Sequence, residues 1–104
     1  MTRSLYAFLL LIKLMLSPLI MHSWRLKLAR LLRGHGFYVR MHAYEYVLGI
    51  NNRIFGVLVL EPWRGKAQLY IHKGSLTSED CINTLLNVLK SIDSKIKINV
   101  LYAS

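Results

Sequence analysis

Apolar residues follow three different patterns along the chain, and each pattern predicts a different kind of element. The first is a nearly continuous apolar run from Leu5 to Met21, broken by Lys13 and by Ser17-Pro18. As a helix, this run would be about 25 Å long, a little short of the roughly 30 Å hydrocarbon core of a bilayer. Three interpretations stay open: a membrane anchor, a buried or oligomer-forming helix, and a cleaved signal peptide.

The second pattern has helical spacing and predicts two amphipathic helices. In the first, from His22 to Arg33, the apolar stripe and most of the basic residues fall on different sides: Trp24, Leu28, Leu31 and Leu32 against Arg25, Lys27, Arg30 and Arg33. Gly34 and Gly36 end this helix, because glycine accepts the left-handed conformation common at helix C-termini. The second helix begins after Thr77, the predicted N-cap, with Asp80 at its third position.

The third pattern is the period-two alternation of strands. It predicts strands over Phe37–Met41, Tyr44–Ile50, Arg53–Glu61, Gln68–His72 and Ile96–Tyr102. Asn51-Asn52 suits a tight hairpin between the second and third strands, because asparagine tolerates positive φ. The apolar run from Ile54 to Leu60 is expected of a central strand covered on both faces.

These elements predict an α+β fold in the order helix, three or four mixed strands, helix, strand, preceded by an apolar N-terminal helix. A chain of 104 residues forms one domain. We therefore expect an apolar segment at residues 1–21 and a folded domain at residues 22–104.

The net charge of the chain predicts an anionic partner. Fourteen Lys and Arg residues against five Asp and Glu give a formal net charge of +9. Such an excess attracts phosphate-rich polymers or anionic lipid, and that attraction weakens with salt. The simpler explanation is that the charge keeps the protein in solution.

Residues with distinctive chemistry are few. The single cysteine, Cys81, excludes an internal disulfide and a cysteine-based metal cluster. The four histidines show no metal-binding spacing. Glu45 and Glu61 lie on strands joined by the hairpin, so a suitable register would let them share Mg²⁺ or Mn²⁺ for phosphodiester hydrolysis. Otherwise Glu45 is a solvent-facing strand residue and Glu61 ends a strand.

From Ala29 to about Tyr102 the chain resembles the restriction-endonuclease-like nucleases, especially archaeal Holliday-junction resolvases. LARLLRGHGFYVRM matches their first helix and the start of the first strand. YEYVLGINNRIFGVLVLEPW stands in the place of their two metal-site strands, and GKAQLYIHKGSLTSEDCINTLLNVL resembles the strand and helix that follow. The resemblance lies in the order of elements.

This resemblance implies a nuclease-like fold with a degenerate active site. Glu45 stands where the family has Asp, and Glu61 matches the Glu of its Glu-x-Lys motif, whereas Trp63 replaces the lysine. Arg64 or Lys66 would have to take over from that lysine. The predicted helix from His22 to Arg33 has no acidic residue to serve as the early metal ligand that resolvases carry.

The sequence therefore predicts a nucleic-acid-binding protein that lacks efficient catalysis and acts as a binding or structural subunit on branched DNA or structured RNA. Its partner would be a second copy or an active nuclease subunit, inside the cell. The predicted nucleic-acid contacts are Arg25, Lys27, Arg30, Arg33, Arg40, Arg53, Trp63, Arg64 and Lys73. One alternative is an active nuclease using Glu45, Glu61 and Lys66. The other is an interaction module attached to the cytoplasmic face of a membrane through residues 5–21.

Overall fold

The fold of residues 4–9, 16–75 and 77–103, the part that the computed structural model describes, is α+β with one mixed five-stranded sheet. Residues 4–9 are helical, and short 3₁₀ turns lie at Pro18–Ile20 and Pro62–Arg64. The main elements are α1 (His22–Gly34), β1 (Tyr38–His42), β2 (Glu45–Ile50), β3 (Arg53–Glu61), β4 (Lys66–His72), α2 (Glu79–Ile92) and β5 (Lys97–Ala103). This order agrees with the predicted order and has four strands before α2.

The strands lie side by side in chain order. β1 to β4 form an antiparallel meander, and β5 pairs parallel with β4 after the chain crosses over through α2. Asn51 and Asn52 turn the chain between β2 and β3 with φ angles of 52° and 63°. The predicted hairpin is confirmed, because asparagine reaches this left-handed region at little cost.

The core lies between the two helices and one face of the sheet. Residues opposite one another on β2, β3 and β4, such as Tyr46, Leu58 and Leu69, are fully buried. The alternating residues Val57 and Val59 are only half-buried. The prediction that β3 is covered on both faces is therefore wrong, because both helices pack into a single core cluster on one side.

Local hydrogen bonds set the end of α1 and the start of α2. α1 ends in two hydrogen bonds, from the N–H of Gly36 to the carbonyl of Arg33 and from the N–H of Phe37 to the carbonyl of Leu32. Gly36 has a φ of 93°, as a glycine that ends a helix commonly does. At the start of α2 the N-cap is Ser78, whose hydroxyl accepts the N–H of Cys81. The prediction of Thr77 was wrong by one residue.

The packed body includes part of the predicted apolar segment. Ser17 caps the turn at Pro18–Ile20, and Leu19 within that turn is fully buried in the core. The Arg25 guanidinium donates to the carbonyls of Leu19 and Ile20 at 2.9 and 2.6 Å. These contacts cross the predicted boundary between residues 21 and 22.

The rest of the apolar segment is described only in part. Residues 4–9 are helical with exposed side chains, and residues 10–15 lie outside the described part of the chain. Among the described residues, no helix is long and apolar enough to cross a bilayer. The membrane anchor predicted for Leu5 to Met21 stays a prediction.

Candidate nucleic-acid interface

Several of the predicted catalytic and nucleic-acid-binding residues lie at one end of the sheet. β3 ends there at Glu61, the turn Pro62–Arg64 follows, and Gly65 reverses the chain with a φ of 63°. β4 then begins at Lys66, which is paired in register with Glu61 on one side and with Lys97 of β5 on the other. The turn separates two depressions of different charge.

The first depression, which we call the basic depression, is lined by four cationic side chains. Its volume is about 540 Å³. The cations are Arg64, Lys66, Lys95 and Lys97. Their mutual repulsion has a Coulomb cost that a bound anion would relieve.

Two acidic residues, Asp93 and Glu61, lie near the four cations of the basic depression and leave part of this charge uncompensated. Asp93 also lines it, but that residue is buried, and its Oδ1 accepts the backbone N–H of Lys95 at 3.1 Å. Arg64 Nη1 lies 3.5 Å from Glu61 Oε2. The Arg64 side chain is nevertheless 58% exposed, whereas that of Glu61 is 23% exposed. The guanidinium therefore remains accessible to an anion.

The second depression, which we call the acidic depression, holds the two predicted metal ligands. Its volume is about 380 Å³, and Glu45, Glu61, Trp63, His42 and Tyr44 are among the residues that line it. Glu45 pairs in register with Val59. Glu61 follows two residues later on the same face, which places the two side chains diagonally, about 7–8 Å apart. The register thus brings the predicted pair to one depression.

A divalent cation would meet competition in the acidic depression. Arg64 already pairs with Glu61 there, and the Glu61 oxygen in that pair is buried. No group of three or more His, Cys, Asp or Glu side chains suited to a metal ion occurs among the described residues. Mg²⁺ is commonly held by one or two carboxylates together with substrate phosphates, so Glu45 and Glu61 offer the minimum donor set. The pairing of Arg64 makes them a poor one.

Trp63 lines the acidic depression, and its ring packs against the Tyr44 ring. Its side chain is 55% exposed, and its ring meets the Tyr44 ring edge-on at a centroid distance of 5.1 Å and an angle of 90°. The Arg25 guanidinium lies 4.2 Å from the centroid of the Tyr44 ring. Tyr46 donates its hydroxyl to the Arg25 carbonyl at 2.8 Å, and burial raises the pKa of Tyr46.

The structure removes Arg25 from the predicted phosphate-contacting surface. This residue is buried, and its guanidinium binds two carbonyls and an aromatic ring. Lys27 and Arg30 are exposed on α1, with the Lys27 ammonium 4.6 Å from the Trp24 ring. Arg33 is exposed too, and its guanidinium donates to the Val39 carbonyl at 2.9 Å. The basic face of α1 thus consists of three residues and not four.

The remaining predicted contacts do not form one surface. Arg40 lies exposed on the open face of β1. Arg53 begins β3 and Lys73 follows the end of β4, which places both at the opposite end of the sheet from the basic depression. Of the predicted residues, Trp63, Arg64 and Lys66 come together with Glu45 and Glu61.

Lys95 and Lys97 are not among the nucleic-acid contacts predicted from the sequence. They approach Arg64 and Lys66 because β5 pairs parallel with β4, which sets Lys97 directly opposite Lys66. Lys95 and Lys97 are separated by one residue, Ile96, at which the predicted strand begins, and this spacing is a weak signal. Knowledge of which strand neighbours β5 was required to find them.

Comparisons of the chain with protein-family models, with curated proteins and with solved structures found no match in any of the three.

Proposed function

We propose that this protein binds nucleic acid through phosphate contacts in the basic depression. The observation that carries this proposal is the convergence of Arg64, Lys66, Lys95 and Lys97 on one depression whose acidic residue, Asp93, is buried. Nucleic acids present closely spaced phosphates, and neutralising them releases condensed counterions. The net charge of +9 would add long-range attraction for the same polymer.

We infer further that the protein acts as a binding or structural subunit on branched DNA or structured RNA, without efficient cleavage of its own. The resemblance to restriction-endonuclease-like nucleases supports this role, and the order of helices and strands agrees with it. Trp63 in place of the motif's lysine, and Arg64 paired with Glu61, both argue against an efficient metal site. A second copy of the chain or an active nuclease inside the cell would supply the cleavage.

Fluorescence anisotropy of the full-length protein tests the binding proposal. The labelled probes are a four-way DNA junction, a DNA duplex and a structured RNA, each measured across a series of salt concentrations. Affinity should fall steeply with salt, with a log–log slope of roughly −3 to −4 if the four cations each neutralise one phosphate. Lys95→Gln and Lys97→Gln should each weaken binding to all three probes and reduce the slope by about 1.

Lys73→Gln is the matched control, because it removes the same charge at the opposite end of the sheet. It should change the affinity far less than Lys97→Gln does. Equal losses for Lys73→Gln and Lys97→Gln would show that only net charge matters and would contradict a localised site. Undetectable binding at low salt would contradict the proposal altogether.

Metal-dependent cleavage is the second candidate function, favoured by the meeting of Glu45 and Glu61 in one depression. Adding Mn²⁺ to the same binding mixtures tests it on a denaturing gel. Cleavage that disappears in Glu61→Ala would establish a nuclease, with Lys66, the register partner of Glu61, as the proposed replacement for the missing lysine. We expect binding without cleavage.

A further inference from the structure

Nothing in the part of the chain that the structure describes explains the exposure of Trp63. Large aromatic side chains contribute most to stability when they are buried, yet more than half of Trp63 is exposed. The hairpin turn that carries it is already closed by the Gly65 N–H, which donates to the Pro62 carbonyl at 3.2 Å. The turn would form with a smaller residue at this position.

The orientation of Trp63 is nevertheless set by a chain of contacts that reaches the core. Its ring makes a T-shaped contact with the Tyr44 ring, Arg25 lies over Tyr44, and the Arg25 guanidinium is held by the carbonyls of Leu19 and Ile20. A ring held in this way loses little rotamer freedom when a ligand stacks on it, because that freedom was lost on folding. Trp63 is thus a pre-organised flat surface.

The charges near Trp63 would orient a bound nucleotide, because one depression is acidic and the other is basic. The acidic depression, with Glu45 and Glu61, repels phosphate, and the basic depression on the other side of the turn attracts it. A phosphate backbone would therefore follow Arg64 and Lys66, while the uncharged base lies on the Trp63 side. A paired base inside a duplex is already stacked on both faces and cannot occupy that position.

From this arrangement we propose that Trp63 stacks an unpaired nucleobase whose flanking phosphates lie in the basic depression, so that the site selects single-stranded over duplex nucleic acid. The inference rests on the proposed phosphate binding and restricts its ligand to nucleic acid that has unpaired bases. Base–aromatic stacking beside a cationic groove is a general way of holding single strands, and loss of one such ring weakens binding about tenfold or more.

Anisotropy titrations of the full-length protein with a labelled oligo(dT) of about 12 nucleotides and with a duplex of equal length test the proposal. Trp63→Leu should weaken oligo(dT) binding by about tenfold and change duplex binding by less than about twofold. Trp63→Phe, which keeps an aromatic ring, should retain most of the wild-type affinity for oligo(dT). Lys97→Gln should weaken the binding of both probes, because its contact is with phosphate.

A second measurement does not depend on how well Trp63→Leu folds. The chain has two tryptophans, so Trp24→Phe leaves Trp63 as the sole source of tryptophan fluorescence. Saturating oligo(dT) should quench that fluorescence, and saturating duplex should leave it nearly unchanged.

The outcomes separate the two proposals. Equal losses on both probes for Trp63→Leu, or no quenching by bound oligo(dT), would overturn the stacking inference while leaving phosphate binding intact. If neither probe shows salt-sensitive binding and Lys97→Gln has no effect, the proposed function fails, and this inference fails with it.

Discussion

Arg25 was predicted to contact phosphate at the surface, but its charged group is buried in the fold. Its position on an amphipathic helix among other basic residues favours a solvent-facing contact. In the fold its guanidinium is buried between two carbonyls and the Tyr44 ring, and its Nε has no hydrogen-bond partner. A buried charge is costly without partners, so Arg25 depends on the turn at Pro18–Ile20 and on Tyr44. Its guanidinium thus contacts the turn and the Tyr44 ring and does not face solvent.

Tyr46 fixes the same helix from the sheet side and makes a testable contribution to stability. Tyr46→Phe removes the hydrogen bond to the Arg25 carbonyl, which should lower the free energy of unfolding by about 1 kcal/mol at neutral pH. Burial raises the pKa of Tyr46 in the folded state. The stability from keeping the phenol neutral is therefore full below the unfolded pKa, near 10, and declines as the pH rises above it.

Urea denaturation of both proteins at neutral pH and at about pH 11 measures this effect. The wild type should lose more stability than Tyr46→Phe over that interval, by roughly 1 kcal/mol, because the variant has no phenol at this position to ionise in the unfolded state. Other alkaline titrations are common to both proteins and cancel in the difference. An equal alkaline loss in both proteins would contradict a raised Tyr46 pKa.

At the scale of elements, helix and strand ends are set by single side chains. The hydroxyl of Ser78 caps α2, while the hydroxyl of Thr77 donates instead to Ser75 Oγ at 3.1 Å. Glu79 and Asp80 follow in the first turn, where carboxylates interact favourably with the helix dipole. Either Thr77 or Ser78 suits an N-cap by residue type, so pattern alone placed the start of α2 one residue early.

Ser78→Ala should therefore destabilise the protein by about 1 kcal/mol, because it leaves an N–H at the start of α2 without an acceptor. Thr77→Ala is the matched control and should cost clearly less. Urea denaturation midpoints with unchanged m-values check the difference. A larger loss for Thr77→Ala would assign the cap to Thr77 after all.

At the scale of the whole molecule, the core extends beyond the amphipathic helices into the apolar N-terminal run. Leu19 is fully buried, whereas Leu16, three residues earlier, is 41% exposed. A turn of three residues thus contributes to the core and carries the carbonyls that hold Arg25. The core therefore includes part of the apolar segment predicted for residues 1–21.

Alanine substitutions at Leu19 and Leu16 test how far the core extends into the N-terminal apolar segment. Leu19→Ala should lower the free energy of unfolding by about 2–4 kcal/mol through lost burial and a residual cavity. Leu16→Ala should change it by no more than about 0.5 kcal/mol. Thermal or urea denaturation distinguishes the two. Similar, small effects at both positions would place the turn at Pro18–Ile20 outside the core.

The α+β class, the order of elements and the Asn51-Asn52 hairpin could be predicted from the sequence, because helical period, strand alternation and turn residues act over a few neighbouring positions. The parallel pairing of β5 with β4, which brings Lys95 and Lys97 to Arg64 and Lys66, is seen only in the folded protein. The tertiary structure also decided the burial of Arg25 and the Tyr44 support under Trp63. These arrangements join residues far apart in the chain, and local spacing carries no information about which distant surfaces pack together.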